Sequence, residues 1–255
     1  MSYRRKHIKP KIKRLKVKKK FFRRPVFWIF LVFLIVIGIL YFIFFFPKFQ
    51  ISKIEISGNK NVDSNAIKGF LSLNVGHIFL VNTEVLEQKV LYEFPFIESV
   101  VVQRKFPDTI VLKIEERKPF AVFCQNNKCF NMDANGVIFD ELRNISQNMV
   151  VVKKELDEKE VFLGQNIIEK NIVDIIYNVE KSLKDNFQIG IKEALISDTL
   201  IFKTSENWQI YFDPNSDTDL AITKMNILLR DEIPIKDRKN IQYIYLQYKD
   251  RAYYK

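Results

Sequence analysis

Residues 26–46 read VFWIFLVFLIVIGILYFIFFF, 21 consecutive positions without a charge or a proline. As a helix rising 1.5 Å per residue, this run reaches about 32 Å, the thickness of a hydrocarbon layer of ~30 Å. It predicts a single transmembrane helix. Trp28 and Tyr41 stand near its two ends, where amphipathic rings prefer the interface. A cleaved signal peptide would show an apolar core of roughly 7–15 residues followed by small residues. Here the core is longer and FFFPKFQ follows it, so a permanent anchor is the better reading. An apolar run of this length also argues against a buried core helix.

The formal net charge of +11 is confined to one end. Residues 1–24 hold 13 of the 41 Lys and Arg and no Asp or Glu, which leaves 28 basic against 30 acidic groups in the remainder. A tail of this kind attracts phosphates only non-specifically, so no specific nucleic-acid partner is expected. After the apolar run, residues 47–61 carry Lys48, Lys53 and Lys60 against Glu55. The imbalance keeps a basic tail, residues 1–25, in the cytoplasm and sends everything after residue 46 across the membrane. The tail should lie against anionic lipid.

Beyond the span, residues 49–58 alternate apolar and polar and predict a strand. Asp63 or Ser64 can cap a helix carrying Ala66, Ile67, Phe70 and Leu71, and Asn82 or Thr83 a second helix that Pro95 ends. Residues 98–105 and 109–116 are β-rich and flank the turn Phe106-Pro107-Asp108. The order is β-α-α-β-β, with both helices over one face of a small sheet, in a first domain of residues 49–119. A second domain, residues 120–255, begins with a hairpin AVFC/CFNM and the turn Asp133-Ala134-Asn135-Gly136. A helix is expected over 166–187 from the spacing of Ile168, Ile172, Ile175, Ile176, Val179 and Leu183. Strands follow near 190–197, 200–204 and 208–212, then a helix opened by Asp217 and Asp219, then strands at 241–248 and 251–255. The class is α+β, with the second domain built on an antiparallel sheet. With 7 Gly and 8 Pro, no long flexible linker is expected between the domains.

Cys124 and Cys129 flank a four-residue loop and can meet across the hairpin as a disulfide; two free or buried thiols are the alternative. Two cysteines alone make a poor metal site. Of the two histidines, His7 is in the tail and His77 follows Gly76 without a nucleophile motif. No GxxxxGK[ST] loop and no HExxH occurs. The acidic pairs Glu115-Glu116 and Asp157-Glu158 look like solvated strand ends or loops. No catalytic residue, cofactor or metal is expected, and the chain reads as a non-enzyme.

Several of these pieces resemble one family, the bacterial cell-division proteins FtsQ and DivIB. Residues 46–71, FPKFQISKIEISGNKNVDSNAIKGFL, resemble the start of a POTRA (polypeptide-transport-associated) domain. Phe94-Pro95-Phe96-Ile97, Arg104 to Thr109, Glu116-Arg117-Lys118-Pro119 and Met132 to Phe139 are similar to successive steps of the family pattern. The terminal IQYIYLQYKDRAYYK resembles the closing strands, except that Leu246 and Gln247 stand where the family often has Asp and Arg. The resemblance implies a POTRA domain followed by a β domain. It also implies a single-pass scaffold of the septal membrane that binds FtsB- and FtsL-like bitopic proteins and other division proteins. A chain-terminal strand would leave an open edge for an incoming strand. Tyr248, Arg251, Ala252, Tyr253 and Tyr254 are the expected contact residues, although tyrosines there can equally just pack the sheet. The competing class is a membrane-anchored envelope enzyme or regulator unrelated to division; the scarcity of histidine and of nucleophile motifs weighs against it.

Overall fold

The computed structural model describes residues 25–73, 75–144, 149–155, 160–248 and 251–255. The basic tail through residue 24 and the acidic pair at 157–158 lie outside the described residues. The chain divides into two units, 1–50 and 51–255.

In the first unit, helix α1 (Pro25–Phe45) has none of its side chains buried and a mean hydropathy of 3.1. Among the described residues it is the one helix long and apolar enough to cross a membrane. A 3-10 turn, Pro47–Phe49, follows. The strand expected from residue 49 therefore starts later, because Phe49 belongs to this turn and the Gln50 amide donates back to the Pro47 carbonyl.

The second unit begins with a three-stranded sheet made of β1 (Lys53–Ser57), β2 (Ile97–Lys105) and β3 (Thr109–Glu116), in the order β1-β3-β2. Strand β3 runs parallel to β1 and antiparallel to β2. Register puts Ile54, Ile56, Val100, Val102, Ile110, Leu112 and Ile114 on one face, and Glu55, Lys113 and Gln103 on the other. The apolar face is covered by α2 (Ser64–Ser72) and α3 (Thr83–Glu93), whose Ile67, Leu71, Leu86 and Val90 are buried. Asp63 caps α2 by accepting from the Asn65 amide, and Asn82 caps α3 by accepting from Glu84 and Val85.

The turn between β1 and α2 is fastened to the end of β3 by one carboxylate. Glu116 accepts from the backbone amides of Lys60, Asn61 and Val62 and from the Asn61 side chain, at 2.6–3.0 Å. Burial alone would raise this carboxyl, but the amides outweigh it and hold it below the usual range. A depressed native pKa contributes stability above the ordinary carboxylate pKa, and that contribution is lost as pH falls through the native value. Glu116→Gln is therefore expected to lower the unfolding temperature of the full chain near neutral pH. The gap to the unaltered protein should close as pH drops below 4.5, the ordinary value from which Glu116 is displaced. A thermal melt at a series of pH values checks this, and a gap independent of pH contradicts it.

The nine-stranded sheet comprises β4 (Ala121–Gln125), β5 (Lys128–Met132), β6 (Ile138–Leu142), β7 (Val151–Lys154), β8 (Ile191–Ile196), β9 (Leu200–Thr204), β10 (Gln209–Phe212), β11 (Tyr243–Tyr245) and β12 (Tyr253–Tyr254). Their order is β12-β11-β10-β9-β8-β7-β4-β5-β6. The α+β class stands, but the sheet is mixed rather than antiparallel. The pairs β4–β7, β7–β8 and β10–β11 are parallel: β5 and β6 lie between the first two strands in sequence, while α4 (Lys170–Phe187) and α5 (Thr218–Ile227) carry the chain back over the sheet before β8 and β11. Helix α4 starts later than the expected 166 because that stretch is bound to the 135–138 turn: Ile167 donates to the Gly136 carbonyl and Val137 bridges Asn166. Gly136 has φ +80°, and a Cβ there would strike the Ile168 carbonyl. The core unites Phe123, Phe130, Val152, Ala194, Phe202, Phe212 and Ile244 with Val173, Ile176, Val179 and Leu183 of α4 and Ala221 and Met225 of α5.

The two sheets are joined by a buried ion pair. Arg117, just past β3, bonds Asp133, just past β5, and their side chains are 14% and 3% exposed. Arg117 Nε also donates to the Pro95 carbonyl. The second Asp133 oxygen accepts from the amides of Asn135 and Val137. Phe96 packs edge-on against Phe139 beside this pair.

Candidate partner-binding edge

Strand β12 is a free margin of the nine-stranded sheet. It pairs antiparallel with β11, Ile244 opposite Tyr254 and Tyr245 opposite Tyr253. Lys255 exchanges backbone hydrogen bonds with Tyr243 and also accepts from Gln242. Antiparallel pairs alternate between bonded and non-bonded positions. Bonding at Lys255 therefore puts Tyr253 inward as well and leaves the N–H and C=O of Ala252 and Tyr254 directed away from β11. These are the groups an added strand would use.

The side chains around this edge are aromatic. Tyr253 stands against Tyr248, ring centroids 5.4 Å apart at 82°. On the same sheet face Tyr245 lies 4.4 Å from Tyr211 and 4.7 Å from Tyr243. The opposite face of β11 carries Ile244, fully buried in the core. Burial, then the neighbouring phenols Tyr211, Tyr243 and Tyr248, raise the Tyr245 hydroxyl above its ordinary value. It therefore stays neutral near neutral pH. Lys224 of α5 donates to the Tyr248 carbonyl at 2.9 Å and fixes the chain ahead of β12.

All five residues expected from the sequence come to this edge. Tyr248, Arg251, Tyr253 and Tyr254 are exposed, and Ala252 is half-buried against the core. Tyr211, Tyr243 and Tyr245 were not anticipated as part of the site. For Tyr243 and Tyr245 the signal was the period-2 pattern QYIYL, in which the tyrosines take the face opposite Ile244 and Leu246.

The other candidate residues lie elsewhere. Cys124 and Cys129 are directly opposed in the β4–β5 pair and joined as a disulfide, Cα–Cα 4.1 Å. Six inter-strand steps separate β4 from β12, about 29 Å at 4.8 Å each. His77 is a half-buried residue just ahead of the turn at 78–80, and its Nδ1 accepts from the Phe79 amide. Among the described residues no group of three or more His, Cys, Asp or Glu is placed to hold a metal ion.

Along the chain, an apolar helix long enough to cross a membrane is followed by a β-α-α-β-β layer and then by a nine-stranded sheet with β12 at one margin and β6 at the other. Residues 49–117 match the POTRA domain, FtsQ-type. Over 194 residues the chain is 26% identical to the cell division protein DivIB of Clostridium tetani, covering 73% of this chain and 72% of that one. It is 26% identical over 230 residues to DivIB of Clostridium botulinum strain Hall, 86% and 87% of the two chains. Against the cell division protein FtsQ of Rickettsia felis it is 27% identical over 172 residues, 62% and 63%. The chain thus carries a POTRA domain of the FtsQ type and is a relative of the DivIB and FtsQ cell-division proteins.

Proposed function

We propose that this protein is a non-enzymatic, single-pass scaffold of the bacterial division machinery, held at the septal membrane by residues 26–46. Its basic tail, residues 1–25, lies in the cytoplasm and holds orientation. Two recognition modules, residues 49–119 and 120–255, stand on the outer side. The second captures FtsB- and FtsL-like bitopic proteins by adding one of their strands to β12, and so helps recruit and regulate septal wall synthesis. The first meets other division proteins. The open margin with its flanking tyrosines carries this reading, because it offers unpaired backbone groups and large aromatic anchors at one place. The similarity to DivIB and FtsQ over most of the chain supports the cellular role.

Depletion in the native host tests the role. The expected result is long filaments without septa, restored to normal length by re-expression of the full chain. Normal division under depletion contradicts it.

A further inference from the structure

The POTRA layer carries an apolar tip at the end of its sheet where the chain enters from α1. Ile51 donates to the Gly76 carbonyl and Ser52 to the Asp108 carbonyl, each at 2.9 Å. These bonds gather the turn after Gly76 and the β2–β3 hairpin tip around the entry point. Both present apolar side chains outward: Phe79 is 40% exposed, Leu80 67% and Phe106 57%, with the Phe79 and Phe106 rings 5.1 Å apart. Exposed Lys53 and Arg104 rim them. Contiguous exposed apolar side chains with a polar rim mark an interaction surface.

The length of the connection selects the occupant. Only residues 46–50 separate the end of α1 from Ile51, a reach of at most about 20 Å even fully extended. With α1 in a bilayer, the tip cannot leave the vicinity of the headgroups. We infer that Phe79, Leu80 and Phe106 form a lipid-binding tip that seats in the outer leaflet of the membrane from which α1 emerges. Phenylalanine and leucine enter the headgroup–acyl boundary while Lys53 and Arg104 meet lipid phosphates. This inference rests on the anchoring of α1 stated above.

The test uses the full chain in vesicles of phosphatidylglycerol and phosphatidylcholine containing lipid spin-labelled near the headgroup. Phe79→Trp and, as a second reporter, Leu80→Trp are made in a Trp28→Phe background, where buried Trp208 is the other emitter. Tyr92→Trp, at the far end of α3, is the control. The expected result is that spin-labelled lipid quenches at least about half of the added emission at 79 and 80 and less than about a tenth at 92. Equal quenching at all three positions overturns the inference if Trp28 of the unaltered chain is quenched. If Trp28 also escapes quenching, α1 is not in the bilayer, and the anchoring reading and the lipid tip fall together.

Discussion

Arg117→Ala is expected to lower the unfolding free energy of the full chain by about 3 kcal/mol, the order found when one partner of a buried pair is removed. The reason lies in what is left behind. Asp133 is 3% exposed on its side chain and would keep one oxygen without its cation. The other oxygen would still accept from Asn135 and Val137. Asp133→Ala should be worse, because it strands the Arg117 guanidinium and also frees two backbone donors of the 133–137 turn. Arg117→Lys should recover part of the loss. An ammonium restores charge but cannot reach the Pro95 carbonyl and Asp133 together as the guanidinium fork does. Denaturant titration of the purified chain, followed by the emission of buried Trp208, measures all three. Losses below about 0.5 kcal/mol, the range of ordinary surface substitutions, contradict the account. The effect reaches function because this pair fixes the three-stranded layer to the sheet that ends in β12.

Ala252→Pro is expected to weaken capture of an FtsB-like partner by at least about tenfold, equivalent to about 1.4 kcal/mol. The fold should be left intact. The Ala252 amide points away from β11, so proline removes a donor that the folded chain does not use. Edge strands tolerate proline at such positions. An added strand would lose that donor and meet the pyrrolidine ring at the site of pairing. Tyr253→Pro is the matched comparison. Its amide faces Tyr245 across the pair, so proline there should loosen β12 itself and lower the unfolding temperature as well as capture. Co-purification of the partner with each full-length variant, beside a thermal melt, separates the two. Undiminished capture by the Ala252→Pro protein contradicts strand addition.

Much of this architecture was written locally. The apolar run, the caps at Asp63, Asn82 and Asp217 and the β-α-α-β-β order follow from periodicity and from side chains that bond the first helical amides. The parallel pairings did not show, because β10 and β11 are separated by all of α5 and nothing within either strand states its direction. The cysteine pairing hung on register: a slip of one residue would send Cys124 and Cys129 to different partners, and the register observed sets them opposite. Arg117 and Asp133 were each visible within a motif. Their contact was not, since it joins the ends of two strands in different sheets. Tyr243 and Tyr245 were within reach of the period-2 pattern of their own strand, whereas Tyr211 depended on knowing that β10 lies beside β11.

Hydrogen exchange on the full chain, with and without the FtsB-like partner, tests the central claim most directly. Strand addition predicts that the amides of Ala252 and Tyr254, directed outward from β11, become protected when the partner binds. The amides of Tyr253 and Lys255, already committed to β11, should change little. Protection that appears elsewhere while Ala252 and Tyr254 exchange as in the free protein would contradict it.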